Sequence, residues 1–433
     1  MDFSGESPVS VPPPFADYSR QEKTVLQTDT HRSVHAWFLT LLLAVGVSIF
    51  PGEAHAQTVF YNPDYAYVVD IPVGWELLDA ESTSMVSFTD PDHVAVFQLL
   101  SFPGSQFATV QEIERYVSRS FGARGDTAPF RYNGDHALFA DYEFTAGTVP
   151  VHGYMVFVNR SDFDFAVMTF AAEDYFEAQH DNILSALDSF SPSAATRNLP
   201  GPVSQFYRND IDDGNAGATL VLPGGTTIEI PGILASDGQR EASQVVIERE
   251  ARLLLTHQPG SETRYDESRP PQWVQAWRRY FRMIYRDNYE RMAPVAEAIY
   301  RESARGGVSR DQLPAHLLTW LQGAGYERTA SLSDFASPGS CLATFTGDCD
   351  SLGMTYAILL HHLGFEAILM ASVEYSHAMV GVDMPGAGAR FSYEGRDWLV
   401  AELTANVAIG QIAQNMADPA GWIGVKLDPT VQW

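Results

Sequence analysis

The chain has 433 residues, too many for one ordinary core, so two or three domains are expected. Its 45% hydrophobic and 19% charged content describes a globular protein and excludes a disordered one. Fifty-four acidic residues against 27 basic ones give a formal charge of −27, a surface that repels phosphate backbones and anionic headgroups. Nucleic acid is not an expected partner.

The N-terminus reads as an export signal. A polar tail with Arg20, Lys23 and Arg32 precedes the apolar run Ala36–Phe50, Pro51-Gly52 breaks it, and Ala54-His55-Ala56 fits a small-x-small cleavage site. Fifteen apolar residues make roughly 22 Å of helix, short for a hydrocarbon core of ~30 Å. Residues 1–56 are therefore expected to be a tail plus a signal peptide, with the mature chain starting near Gln57 in the periplasm or outside the cell. An uncleaved anchor, the one route to a membrane association, is the alternative. No Cys follows the cleavage site, which excludes a lipoprotein anchor.

Residues 57–191 read as one α+β unit. Strands are predicted at Tyr65–Pro72, Val94–Leu100, Ala137–Phe144, Val151–Val158 and Asp164–Phe170. Helices are predicted at Thr109–Phe121, with Val110, Ile113, Tyr116 and Val117 on one face, and at Tyr175–Leu187. His93, His136 and His152 are scattered singly, which suits structural or solvent roles rather than a metal site. The motifs Ile71-Pro72-Val73-Gly74-Trp75 and Ile183-Leu184-Ser185-Ala186-Leu187-Asp188-Ser189-Phe190 resemble PsbP-like domains of exported proteins. That resemblance implies a binding or accessory module.

Residues 192–271 are rich in Pro, Gly, Asp and Ser and read as a connector with one hairpin, Thr219–Leu222 and Thr226–Ile230 around Pro223-Gly224-Gly225. Within it, Asp210-Ile211-Asp212-Asp213-Gly214-Asn215 has the look of a calcium loop. Its twelfth position is Val221 rather than a bidentate Glu, so an acidic turn is the better reading. No metal or cofactor is expected anywhere in the chain.

From Gln272 the pattern turns helical. Trp273, Trp277, Tyr280, Phe281, Ile284 and Tyr285 form an apolar stripe, and Arg278, Arg279, Arg282 and Arg286 are expected on a solvated face. A further helix runs from Pro294 to about Arg305, before Gly306-Gly307. Ser309-Arg310-Asp311-Gln312 is a capping-box signature ahead of the helix carrying Leu317, Leu318 and Leu321.

The richest stretch is Thr346-Gly347-Asp348-Cys349-Asp350-Ser351-Leu352-Gly353. A Gly-Asp turn opens an apolar helix over Asp350–Leu363, with Asp348 suited to the N-cap and Gly364 to the stop. Cys349 at that positive end is expected to ionise more readily than a free thiol, with Asp350 turned outward. Strands are predicted at Ala367–Val373, His377–Met384, Arg390–Tyr393 and Trp398–Leu403, with a turn at Glu394-Gly395. Alternation puts His377 with Met379 and Gly381, and Glu402 with Trp398 and Val400, so neighbouring strands would bring imidazole and carboxylate together. A thiol, an imidazole and a carboxylate are the parts of an activated nucleophile. Asp383 shares the His377 face and is the reserve acid. The pair His361-His362 at the helix end suits its negative C-terminus better than a metal site.

Gly347-Asp348-Cys349-Asp350-Ser351-Leu352, Ser376-His377-Ala378-Met379-Val380 and Trp398–Thr404 resemble, in order, the motifs of the transglutaminase-like superfamily, and Thr319-Trp320-Leu321-Gln322 resembles the helix before its catalytic segment. The resemblance covers roughly residues 312–410. It implies a papain-related fold in residues 272–433: a helical layer, a central Cys-bearing helix and an antiparallel sheet. It also implies Cys349 as nucleophile, His377 as base and Glu402 as orienting acid. Glu in place of the more frequent Asp is conservative, whereas Ala378-Met379 after the His leaves the substrate class open. The expected activity is hydrolysis of a peptide or related amide through an acyl-thioester. Cross-linking transfer to an amine is the first alternative, and a non-catalytic envelope scaffold is the second. A Cys341–Cys349 disulfide is the main rival to a reactive thiol, since these are the chain's only cysteines.

Overall fold

The computed structural model describes residues 59–209, 211, 218–230, 236–260, 263–328 and 333–428. The expected tail and signal segment lie outside the described residues, as does nearly all of Asp210–Asn215. Among the described residues, no helix is long and apolar enough to cross a membrane. The chain is a mixed α+β protein with several separate sheets.

Its N-terminal part begins with a two-stranded ribbon, β1 (Val59–Tyr61) and β2 (Val68–Asp70). A seven-stranded antiparallel sheet follows, built from β3 (Glu76–Ser82), β4 (Met85–Thr89), β5 (Ala95–Pro103), β6 (Arg124–Tyr132), β7 (Asp135–Ala146), β8 (Val149–Asn159) and β9 (Phe163–Ala172). The spatial order is β3-β4-β5-β9-β8-β7-β6. The period of two sends alternate residues of β9 to opposite faces. Phe165 and Val167 join one apolar cluster, with Ile183, Leu187 and Phe190, while Ala166 and Met168 join another, with Ile113 and Val117. Helix α1 (Val110–Phe121) therefore covers one face and α2 (Phe176–Asp188) the other. The strands predicted here all occur. β1, β3, β4 and β6 were not predicted.

The stretch read as a connector holds more than its hairpin, β10 (Ala218–Val221) and β11 (Thr227–Ile230). It also folds a short helix, α3 (Pro202–Arg208), and a 19-residue helix, α4 (Asp237–Leu255), capped by the Ser236 side chain. Leu220, Leu222, Ile247 and Leu254 enter the same core as the C-terminal helices.

That core is built by α5 (Gln272–Asn288), α6 (Ala293–Arg305), α7 (Leu313–Leu321), α8 (Pro338–Thr344) and α9 (Cys349–His362). The capping box at Ser309 and Gln312 forms as expected. A short parallel pair, β12 (Gly325–Tyr326) with β13 (Thr346–Gly347), fixes the turn that leads into α9. The antiparallel sheet comprises β14 (Ala367–Ser372), β15 (His377–Val382), β16 (Arg390–Tyr393), β17 (Arg396–Ala401) and β18 (Ile423–Val425), in the order β16-β17-β15-β14-β18. Helix α9 packs on β14 and β15. Gly353 allows close approach, because a Cβ there would meet Leu369 Cδ1 at 3.1 Å.

The arginines of α5 are not solvated. Arg278, Arg279 and Arg286 are buried: Arg278 meets Glu267 and the Gly424 carbonyl, and the N-terminal part supplies partners for Arg279 and Arg286. Arg282 forks onto Asp70 at 2.7 and 2.9 Å, and Arg279 reaches the Asp70 carbonyl at 2.9 Å and Glu250 at 2.8 Å. Arg286 donates to the carbonyls of Ser189, Leu199 and Phe190 and to the Ser191 hydroxyl. Beside them, Arg249 of α4 bridges Asp188 at 2.8 Å and Glu250 at 3.0 Å, all three fully buried. Asp287 is held below the ordinary carboxylate range despite its burial, by the guanidiniums of Arg208 and Arg291. Removing one member of such a set leaves a buried charge uncompensated, which costs about 3–5 kcal/mol. Arg249→Met should accordingly lower the unfolding free energy measured by urea denaturation by an amount on that order, while Arg301→Met, at an exposed pair, should leave it nearly unchanged.

Candidate functional site

Cys349 is the first residue of α9, and its N-cap is Asp348, whose carboxylate accepts from Ser351 N at 2.9 Å. Ser351 in turn accepts from Ala336 N at 2.8 Å, tying the helix start to the loop before α8. Phe345 precedes this turn with a left-handed backbone, φ 52°, and its ring lies 5.5 Å from that of Trp320. The sulfur is buried, at the start of the helix that packs on the strand carrying His377.

His377 opens β15, directly after Ser376, whose left-handed φ of 48° turns the chain into the strand. Strands β15 and β17 pair with Val380 opposite Ala401, which sets Glu402 at the same end of the sheet as His377. Nε2 of the imidazole and Oε2 of Glu402 are 2.7 Å apart. The other carboxylate oxygen accepts from Thr404 N at 2.8 Å and Thr404 Oγ1 at 2.7 Å. Burial alone would raise the Glu402 carboxyl. His377 and Thr404 hold it below the ordinary range instead. The ionised acid requires a donor, so Nε2 carries the proton and Nδ1 is the basic nitrogen. His377 and Glu402 are thus paired at one end of the sheet, and Cys349 begins the helix that packs on the strand carrying His377.

Three features of the site were not anticipated. Asp350 does not point outward: Cys349 Sγ donates to its Oδ1 at 3.2 Å. The thiol is not lowered. Burial first, then the charge and hydrogen bond of Asp350 and the charge of Asp348, push it well above the ordinary thiol range. Asp350 itself is pushed up to about 7 by burial and by the charges of Asp348 and Asp334, against the lowering effects of the thiol and His377. Gln322 is the third feature. Its amide donates to the carbonyls of Glu402 at 2.8 Å and Val407 at 2.9 Å, fixing the segment that carries the acid. Thr404, two residues beyond a carboxylate, fits a local side-chain-to-backbone turn and was legible on that ground.

The rivals fare differently. Both cysteines are free thiols, and Cys341, near the Ala336 carbonyl at 3.6 Å, is pushed up to about 12 by burial. Asp383 follows the far end of β15 and pairs with Arg396 at 3.0 Å, so it is not a reserve acid for His377. His361 and His362 are not charged partners of the helix terminus. Burial lowers both, and they bond Tyr285 Oη at 2.7 Å and the Tyr289 carbonyl at 2.7 Å. His152 contacts Asp141 at 2.6 Å and stacks on Phe176. Among the described residues, no group of three or more His, Cys, Asp or Glu side chains is placed to hold a metal ion. An open hollow of about 700 Å³ on the N-terminal part, lined by Phe107, Arg131, His136 and Arg160, involves none of the residues above.

No family model matches the chain, and no curated protein matches it. Solved structures resemble it weakly. A cyanobacterial PsbP from Synechocystis sp. PCC 6803 aligns at 14% identity and TM-score 0.27, over 34% of this chain and 98% of that one. A Pseudomonas aeruginosa protein of unknown function aligns at 13% and 0.20, over 28% and 88%. A Bacteroides thetaiotaomicron protein aligns at 10% and 0.23, over 79% and 89%. The likeness to PsbP is one of fold, and a weak one. None of the three bears on activity, and none supports the transglutaminase-like resemblance.

The Glu402 carboxyl titrates lower in the folded chain than in the unfolded one. Its contribution to stability is therefore present above the unfolded value and lost as pH falls through the folded one. Glu402→Gln lacks that contribution. The gap in urea midpoint between wild type and variant should be widest near pH 6 and close towards pH 3.

Proposed function

We propose that residues 272–433 form a transglutaminase-like thiol hydrolase that cleaves peptide or related amide bonds, exported behind the N-terminal signal, with a PsbP-like accessory unit in front of it. The observation that carries this reading is the 2.7 Å His377–Glu402 bond on the sheet against which the Cys349-bearing helix packs. A histidine held by an ionised acid at one nitrogen has its other nitrogen fixed as a base.

In the proposed cycle, the Cys349 proton passes to Nδ1 of His377 as the sulfur attacks the amide carbonyl carbon. The amides at the start of α9 face the developing oxyanion. The tetrahedral intermediate then breaks its C–N bond, and the imidazolium gives its proton to the departing amine. The thioester that remains is cleaved by water, with His377 taking the water proton and returning it to the sulfur. An amine in place of that water gives acyl transfer, which uses the same residues. The scaffold reading draws on the burial of Cys349 and its raised protonation range.

A screen of peptides and simple amides with the full chain, under reducing conditions, separates these readings. Cys349→Ala should abolish turnover, and His377→Ala should lower kcat/KM by about 10²–10⁴-fold. Release of free carboxylate favours hydrolysis, and incorporation of an added amine favours transfer. Turnover that survives Cys349→Ala would overturn the thiol mechanism, and none on any amide with a free thiol would leave the scaffold reading standing.

A further inference from the structure

We propose that Asp350 is a further acid–base residue of this site: its carboxylate holds the Cys349 proton at rest, and the sulfur becomes a nucleophile only when that carboxylate is neutral. The second half of this statement rests on the thiol-hydrolase reading. The first half rests on geometry alone.

The thiol donates to Asp350 Oδ1 at 3.2 Å, so the resting proton is directed at a carboxylate rather than at His377. Cys349 and Asp350 are consecutive at the start of α9, and both compete for the same positive helix end. Two anions side by side repel, so the pair favours keeping one proton between them. The neighbouring charges reinforce this. Asp348 lies on the cap, Asp334 on the loop before α8 and His377 on β15. Tyr280 faces the group from α5, and Arg328, following β12, pairs with Asp334 at 3.5 Å and reaches the field of Asp348 and Cys349. Two carboxylates, Asp350 and Asp348, thus bear on the sulfur, and Asp334 bears on both of them. Uptake of a solvent proton by Asp350 removes the nearest of their charges. The thiol can then pass its own proton to His377 Nδ1, and the neutral carboxyl donates its O–H to the sulfur in return.

The test is the rate at which iodoacetamide alkylates Cys349 in the full-length protein, followed by peptide mass spectrometry from pH 5.5 to 8.5, with Cys341 as internal reference. An isolated thiol below its pKa labels about tenfold faster per pH unit. Wild type should instead climb to a break near pH 7, where Asp350 ionises, and then flatten. Asp350→Asn should climb through that break. It should exceed wild type about tenfold at pH 8 and approach it at pH 5.5, while Asp350→Glu keeps the break. A wild-type rate rising tenfold per unit across the whole range overturns the proposal, whether or not the variants fold. So does a folded Asn variant labelling no faster than wild type at pH 8. Because labelling needs no turnover, a break with no amide cleaved sinks the hydrolase reading alone, and turnover without a break sinks only the role of Asp350.

Discussion

Helix α5 has two faces that must be satisfied by different parts of the chain, and the rest of the architecture follows from that requirement. Phe281, Ile284 and Tyr285 belong to the core that contains α9. Arg279, Arg282 and Arg286 project into the N-terminal part and find Asp70, Glu250 and the carbonyls after α2. A buried guanidinium is costly unless its donors are met in good geometry, so these contacts tolerate little slippage. They also explain why α4 belongs between the two parts: it brings Arg249 and Glu250 to the same seam. The N-terminal part is therefore fastened to the helical layer on which the Cys-bearing helix rests.

How much of this was legible depended on whether a residue's partner was local. The strands of the N-terminal sheet that carry alternating or continuous apolar runs were readable, as was α9 with its Asp348 cap. β6 was not, because Arg124-Gly125-Asp126-Thr127-Ala128-Pro129 is a mostly exposed edge strand that lacks a buried pattern. Helix α4 was missed because Arg249 and Glu250 fall on its buried face and spoil the amphipathic signature. Their partners lie 61 residues before Arg249, at Asp188, and 29 residues after Glu250, at Arg279. The α5 arginines were assigned to solvent for the same reason, since Asp70 is 212 residues from Arg282. In the candidate site, the pairing of His377 with Glu402 followed from strand alternation. The role of Gln322 did not, because a side-chain amide bound to two distant carbonyls leaves no trace in local pattern.

The sulfur shows where a correct rule gave the wrong sign. A helix N-terminus stabilises an adjacent anion by roughly 0.3–1 kcal/mol, and up to ~2 kcal/mol in partly buried geometry. Two unit charges ~4 Å apart at an effective dielectric of about 20 interact by about 4 kcal/mol. With Asp350 in contact and Asp348 behind it, repulsion exceeds the dipole, and burial adds to it. The first-turn acids that suit a helix start therefore work against a thiolate placed there. Neutralising the nearest carboxylate removes that repulsion and leaves the helix end as a donor.

This arrangement has a consequence for a thiol that leaves the reducing cytoplasm, as the proposed export requires. Oxidation and disulfide exchange both proceed through the thiolate, so a sulfur kept protonated and buried is protected in the resting state. Cys341 is shielded chiefly by burial, with the charge of Asp348 second, and the two cysteines remain separate thiols. Protection by burial is permanent, whereas protection by a neighbouring carboxylate is reversible by a single proton. A nucleophile needs the second kind. The distinction between Cys341 and Cys349 is then not their exposure, which is nearly equal, but whether a titratable group touches the sulfur.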